Sequence, residues 1–431
     1  MGYIEIFITL IYLLLSVSKI YKKSRLLSLL ILSYFGLYIV VLPLFYLSGM
    51  EFVSVMPDRS FINEVLFSNL LFVFVFFIVT LIVSQKNIIE QSSIGSLIKK
   101  YDIERISGKK IIVPFVVFFL ITYLMKAYIY NDYLYFISDV NPFETTQQFK
   151  TGGWFFLVVS SAFTYIGYML LYRISFVRKN ILAFFALVLL LYFLSVFLKF
   201  AERTVILVMV IAFIIFRTEY IGLWKKNKIF SFRSLLLAIF IILFLTYYDA
   251  IRQNNSIVFS FDVFDISKQI INFLQVENSI LLAEYFSNSD FLGLQYLLLV
   301  MSGYSLLPTF LLPFDKINTG VEAILTKMIF GGNLNPIFYS PNSTITFTIP
   351  MTGYAEFGYV GVVIHSFIYS IILLTLIYSY KRNTFLSFMI LILSITSVLG
   401  FRLSVESIII GVQVSAFFYL FLVFLYKIKI K

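Results

Sequence analysis

Cysteine is absent from the 431 residues, and histidine occurs once. The missing thiols exclude disulfides, Cys-ligated zinc, iron–sulfur clusters and thiol nucleophiles. With one imidazole, a metal site would have to be built from carboxylates, so neither a metal nor a cofactor is expected. Charge is scarce too: 13% of residues are Asp, Glu, Lys or Arg and 61% are hydrophobic, against about 25% and about 45–50% in a soluble domain. Such a chain is solvated mainly by lipid. The patterns of soluble catalysis are also missing. There is no G-x-x-x-x-G-K-[ST] loop, no G-x-S-x-G elbow and no H-E-x-x-H pair, so nucleotide-driven and serine-hydrolase chemistry have no residues to stand on. No internal repeat or low-complexity tract is present.

What the sequence does have is long apolar runs. Stretches of about 17–25 residues are candidate membrane spans, and eleven occur, near 3–18, 26–48, 62–84, 111–130, 153–172, 181–200, 203–221, 234–249, 354–380, 384–401 and 407–426. The first begins Met-Gly-Tyr-Ile-Glu, with no basic flank or small-residue cleavage site, and reads as a retained span. Orientation follows from the basic residues, which gather in cytoplasmic loops. The loops 19–25, 85–110, 173–179, 217–233 and 381–382 and the tail 427–431 hold 23 Lys and Arg but only four acids. This places the amino terminus outside and the carboxyl terminus inside. The net charge of +11 then reports topology and contact with anionic inner-leaflet lipid; it gives no reason to expect nucleic acid.

The expected architecture is an all-α polytopic membrane protein with three parts: spans 1–8 over 1–249, one large external loop over 250–353, and spans 9–11 over 354–431. A loop of about a hundred residues is too long for a plain connector. Within it, Lys268, Asn272, Gln275 and Ser279 alternate at helical spacing with Ile266, Ile270, Phe273 and Ile280, predicting an amphipathic helix on the outer surface. Residues 292–314 are long enough to cross, but a crossing there would break the parity of the basic loops. With Gly303, Pro308 and Pro313 inside it, the segment reads as a re-entrant or interfacial helix. Residues 343–350 alternate polar and apolar like an extended strand.

Ionisable groups in or beside spans are expensive and mark function by default. Here they fall toward the external face: Glu202 and Arg203 in a short hairpin, Asp249 and Arg252 at the entrance to the long loop, Glu356 at its exit, and Arg402 and Glu406 in the last external hairpin. Arg203, Arg252 and Arg402 stand at three outer helix ends, where planar guanidinium forks suit a phosphate or diphosphate. The alternative is local pairing: Glu202 with Arg203, Asp249 with Arg252, and Glu406 four residues after Arg402 on one helical face. Glu356 has no basic neighbour in sequence. It is either a first-turn acid complementing the helix dipole or a carboxylate that takes a proton from a sugar hydroxyl. His365 lies nine residues on, about 180° around and about 13 Å along a straight helix. The two cannot share a site unless the helix breaks, so His365 reads as a structural, hydrogen-bonding histidine.

The order of spans, late external loop and arginines at outer helix ends, with Ala201-Glu202-Arg203-Thr204, Arg252 and Gly353-Tyr354-Ala355-Glu356-Phe357-Gly358-Tyr359-Val360-Gly361 in that sequence, resembles the Wzy-type oligosaccharide repeat-unit polymerases of O-antigen and capsule synthesis, relatives of the O-antigen ligases. The resemblance implies a metal-independent, integral-membrane glycosyltransferase of the bacterial inner membrane. Its donor and acceptor would be undecaprenyl-diphosphate-linked oligosaccharides, met in a periplasmic loop site. It further implies Arg203, Arg252 and Arg402 on the diphosphate, Arg252 and Glu356 as catalytic groups, and Glu202, Asp249 and Glu406 in support. A chain-length regulator and a flippase are the expected protein partners. Related ligases use a histidine in the loop; this loop has none, which disfavours the ligase. The competing class is a lipid-linked oligosaccharide flippase or other transporter, against which stand the odd span count, the long loop and the lack of a repeat.

Overall fold

The computed structural model describes residues 2–48, 59–85, 108–130, 153–192, 203–223, 274–304, 347–379 and 383–428, with a few isolated positions besides. They are almost wholly helical, and no strand occurs among them. The helices are α1 (Gly2–Tyr21), α2 (Arg25–Leu47), α3 (Ile62–Gln85), α4 (Gly108–Tyr130), α5 (Gly153–Ser175), α6 (Asn180–Tyr192), α7 (Arg203–Ile215), α8 (Leu274–Ser287), α9 (Gln295–Met301), α10 (Ile349–Tyr378), α11 (Phe385–Leu399) and α12 (Val405–Ile428). Wider π turns interrupt α2 at Gly36–Val41 and follow α7 at Phe216–Tyr220.

Among the described residues, six segments are long and apolar enough to cross a membrane: Gly2–Tyr21, Arg25–Leu47, Ile62–Ser84, Ile349–Tyr378, Phe385–Arg402 and Val405–Phe424. Their outward faces are apolar as well. On α1, Ile4 and Phe7 are 65% and 63% exposed, and Ile11 and Leu14 continue the stripe one turn at a time, a surface that water would not tolerate at this size but lipid does. The protein is therefore a polytopic membrane protein. Helices α4 to α7 lie on four further predicted spans; the predicted span at 234–249 falls outside the described residues.

Contacts group the chain into two compact units that ignore chain order. One comprises 1–96, 261–380 and 393–415, the other 97–260, 381–392 and 416–431. In the first, α3 packs along α1 and α10 around an aromatic core. Phe35, Phe72, Phe76, Tyr369 and Phe401 are all fully buried, with Phe401 4.6 Å from Phe35 and 5.0 Å from Phe72 between ring centres. Two tyrosines fix the end of α11: Tyr369 Oη donates to the Ser397 carbonyl and Tyr34 Oη to that of Leu399, each at 2.9 Å. Carbonyls in the last turn of a helix lack helical partners, and these phenols supply them where water is scarce.

In the second unit, Tyr172 donates to the Asn383 carbonyl at 2.9 Å and its ring meets Phe216, Phe385 and Phe388. Arg217, which falls in a basic loop by sequence, is in fact fully buried in the π turn after α7. Its guanidinium donates to the carbonyls of Ser175 and Val177 at 2.9 Å and to Asn180 Oδ1 at 2.6 Å. It thus joins the end of α5 to the start of α6, and the fork shape matters because three acceptors are served from one plane.

Two loop expectations change. The helix expected here is described over Leu274–Ser287, and it buries Ser279 with Ile280, Leu282, Ala283 and Phe286. It packs on α3 and α10, so it is docked on the first unit and Ser279 is not on its wet face. Residues 266–273 lie outside the described residues. Pro350 begins α10 and does not end a strand: Thr348 is extended and Ile349 is already helical. Proline suits that place because the first helical N–H groups have no partner to lose. Within 292–314, helix is seen over Gln295–Met301 and ends at Gly303 with φ 79°; residues 305–314 lie outside the described residues.

Candidate functional site

The centre of the site is a break in α10. Phe357 (φ −153°, ψ 35°) and Gly358 (φ 59°, ψ −147°) leave helical geometry. Gly358 takes a combination open in practice to glycine alone. On either side the chain is helical, and the two arms fold against each other. A Cβ placed on Gly353 would stand 2.7 Å from the Gly361 carbonyl oxygen and 3.1 Å from His365 Cβ, and one placed on Gly361 would overlap the Gly353 carbonyl. Residues eight apart on a straight helix are about 12 Å apart. Here they touch backbone to backbone, so the glycines at 353, 358 and 361 are respectively face, hinge and face of a helical hairpin.

A broken helix leaves carbonyls without partners, and within a membrane these must be satisfied by the protein. The loop segment before α9 does this: Leu292 N donates to the Ala355 carbonyl at 3.1 Å and Gly293 N to the Glu356 carbonyl at 2.8 Å. Phe291 covers the hinge, its ring 3.2 Å from where a Gly358 Cβ would lie. Around it, Tyr354 meets Phe291 and Tyr359 edge-on, and Tyr359 meets Phe67.

The hairpin brings Glu356 and His365 together. His365 Nε2 is 3.1 Å from Glu356 Oε2, and both side chains are completely buried. The expectation of a purely structural histidine, remote from Glu356, is therefore corrected: its premise was a straight helix, and the helix is broken. Glu406 completes the cluster, its Oε1 3.7 Å from the same Nε2, and it too is completely buried. Glu406 sits in the first turn of α12, where Ser404 Oγ accepts from Ser407 N at 3.2 Å and caps the helix. The positive end of the helix dipole favours a carboxylate there. Its carboxylate faces His365. Arg402 itself is half-buried in the short turn Gly400–Arg402 that leads into α12.

Four atoms of the cluster have no hydrogen-bond partner: Glu356 Oε1, His365 Nδ1 and both Glu406 oxygens. Buried carboxylates in that state are costly unless a proton, a cation or a substrate group completes them. The three side chains are also the one set among the described residues with the spacing of a metal site, their donor atoms all within 4.8 Å of one another. A ligating imidazole is, however, normally held from behind by an acceptor on its other nitrogen, and His365 Nδ1 has none. The arrangement suits sharing and moving a proton better than holding an ion.

Of the residues expected in the site, the structure unites Glu356 and Glu406, with Arg402 four residues before the latter. Arg203 opens α7, but its side chain, and Glu202, Asp249 and Arg252 entirely, lie outside the described residues. The sequence reading missed His365 as a partner. Its one available signal was three glycines within nine residues of an apolar run, more than helix packing requires. No known family profile, curated protein or solved structure matches the chain.

Proposed function

We propose that the protein is a membrane glycosyltransferase that polymerises lipid-diphosphate-linked oligosaccharide repeat units, of the Wzy type that builds O-antigen or capsular polysaccharide. The observation that carries this reading is the broken helix, which sets a buried carboxylate, Glu356, beside the lone histidine in the segment that leaves the long loop. Sugar transfer from a lipid diphosphate needs a group to accept the proton of the attacking hydroxyl and cations to stabilise the departing diphosphate. Glu356, with a free Oε1, fills the first role. Arg203, Arg252 and Arg402 fill the second without a metal, as the forked guanidinium matches phosphate oxygens.

In this reading the chain has eleven spans in the bacterial inner membrane, amino terminus periplasmic and carboxyl terminus cytoplasmic. The loop over 250–353 lies in the periplasm, where donor and acceptor meet. A flippase supplies the units and a chain-length regulator acts on the polymer.

A second reading, a lipid-linked oligosaccharide transporter, is favoured by the same discontinuous helix, because transporters place substrate and ion sites at such breaks. One gel separates the two. Surface polysaccharide is compared for the gene deletion and for strains restored with wild type, Arg252→Ala or Arg252→Lys. The polymerase predicts a ladder that collapses to single repeat units and is rescued by wild type alone, since lysine cannot make the bidentate contact. Loss of even the single unit points to the flippase or ligase step, and an unchanged ladder refutes both the polymerase and the transporter. A normal ladder from both arginine variants removes Arg252 from the site.

A further inference from the structure

His365 and Glu406 are completely buried, yet the transfer step just described uses neither. Both carboxylates approach the same ring nitrogen, Glu356 at 3.1 Å and Glu406 at 3.7 Å. They come from different helices, so the convergence is made by tertiary structure and not by local sequence. Each is held firmly. Glu356 ends the short arm whose last carbonyls are tied to Leu292 and Gly293. Glu406 follows the Gly400–Arg402 turn, which Tyr34 and Tyr369 anchor through α11. Next to the imidazole, one Glu356 oxygen is engaged and the other is free. Glu406 approaches that same nitrogen, and the donor atoms of the three side chains all lie within 4.8 Å of one another. A nitrogen that two buried carboxylates share is arranged to take a proton from one and give it to the other.

We propose that His365 and Glu406 form the proton outlet of Glu356. This rests on the transferase reading above. As the acceptor hydroxyl oxygen bonds to the anomeric carbon, the carbon–oxygen bond to the lipid diphosphate breaks and the diphosphate leaves with the electron pair. The hydroxyl proton goes to Glu356. From there it moves to the lone pair on His365 Nε2, in the tautomer that carries its resting proton on Nδ1, and it passes to Glu406 Oε1 when that oxygen closes from 3.7 Å to hydrogen-bond distance of the same nitrogen. Glu356 is again ionised while product is still bound, and Glu406 loses its proton to water when the site empties. Glu406 and His365 act through Glu356 and touch no sugar; they are positioning and proton-holding residues.

The test uses the full-length protein in lipid nanodiscs with synthetic polyprenyl-diphosphate-linked repeat units, and measures kcat and KM separately. Glutamine at 406 keeps the shape but cannot take a proton; aspartate can. The expected result is a kcat roughly 100-fold lower in Glu406→Gln and in His365→Gln, the scale of a lost acid–base group, with KM unchanged, and a kcat in Glu406→Asp at least about tenfold above that of Glu406→Gln. A kcat near wild type in either glutamine variant overturns the outlet, since only geometry would then be needed. So does equal loss in Glu406→Asp and Glu406→Gln, or one equivalent of divalent metal that accompanies the wild type and is lost in Glu406→Gln. Should Glu406→Gln not fold, His365→Gln decides the matter. A wild type that binds the lipid-linked units but never joins them defeats the transferase reading and the outlet with it, whereas active wild type with normal glutamine variants defeats the outlet alone.

Discussion

Replacing Gly353 with alanine tests the helical hairpin most sharply, because two general effects predict opposite signs. Within an exposed helix, glycine to alanine stabilises by about 1 kcal/mol. At Gly353 the new methyl would stand 2.7 Å from the Gly361 carbonyl oxygen, where real contacts begin near 3.0–3.4 Å. The obstacle is backbone, which cannot rotate aside, so the arms must part by about 0.3–0.7 Å. Overpacking of that kind costs about 1–3 kcal/mol. The same movement stretches the 3.1 Å contact between Glu356 and His365 past hydrogen-bond range, a loss of about 1.5–3 kcal/mol for a buried charged partner. The net expectation is a destabilisation of about 2–5 kcal/mol and, from misplacement of Glu356, a loss of transfer on the order of 100-fold. The assay is thermal unfolding of the purified protein in detergent beside the polysaccharide ladder. Gly411→Ala on α12 is the control, since nothing lies within 4 Å of its added methyl; it should unfold at or slightly above the wild-type temperature. A Gly353→Ala protein as stable as Gly411→Ala would refute the close approach of the arms and the buried pair that depends on it.

The remaining expectations concern the two units' own packing. Arg217→Lys should destabilise by about 2–3 kcal/mol, since an ammonium cannot serve the Ser175 and Val177 carbonyls and Asn180 Oδ1 together; limited proteolysis between α5 and α6, faster than in wild type, is the readout. Phe401→Ala removes a fully buried ring that meets Phe35, Phe72 and Tyr369 and should cost about 3–5 kcal/mol, read as a lower unfolding temperature. It should also lower transfer, because Phe401 lies in the turn that leads to Glu406.

The long apolar runs were legible because a membrane span has to supply length and apolarity in one continuous stretch, and at α1, α2, α3, α11 and α12 the helix lies where the run does. The face that each helix buries was far less legible. Apolar residues cover both the lipid side and the protein side of α10, so periodicity carries no contrast there. Glu356 and Glu406 could be singled out because a carboxylate in such a run is conspicuous. Their meeting could not, since it depends on two consecutive residues, Phe357 and Gly358, leaving the helix. Helical geometry applied across that point placed His365 on the opposite side. The same rule applied from Tyr359 onward is sound: Gly361 and His365 share one face, four residues apart, and that is the face the short arm meets. Arg217 was misplaced for a different reason. A basic residue at the edge of a span reads as a solvated loop charge, and nothing local reveals the three acceptors, which come from residues 175–180.

The manner in which the break is satisfied bears on what the long loop is for. Had the hairpin been closed by its own side chains, the loop would be separable from it, a cover that comes and goes. Instead the carbonyls released at the hinge are bonded by the backbone N–H groups of Leu292 and Gly293, and Phe291 lies over Gly358. Backbone donors cannot be replaced by side-chain substitution, and few other groups are available at that depth. The segment 291–293 is thus as much a part of the Glu356 site as α10 is. A loop whose movement were needed to admit substrate would have to pivot elsewhere, because lifting these three residues would strip hydrogen bonds from the turn that holds the carboxylate beside the imidazole. Docking of α8 on α3 and α10 points the same way: the portion of the loop nearest the site is built into the first unit's core.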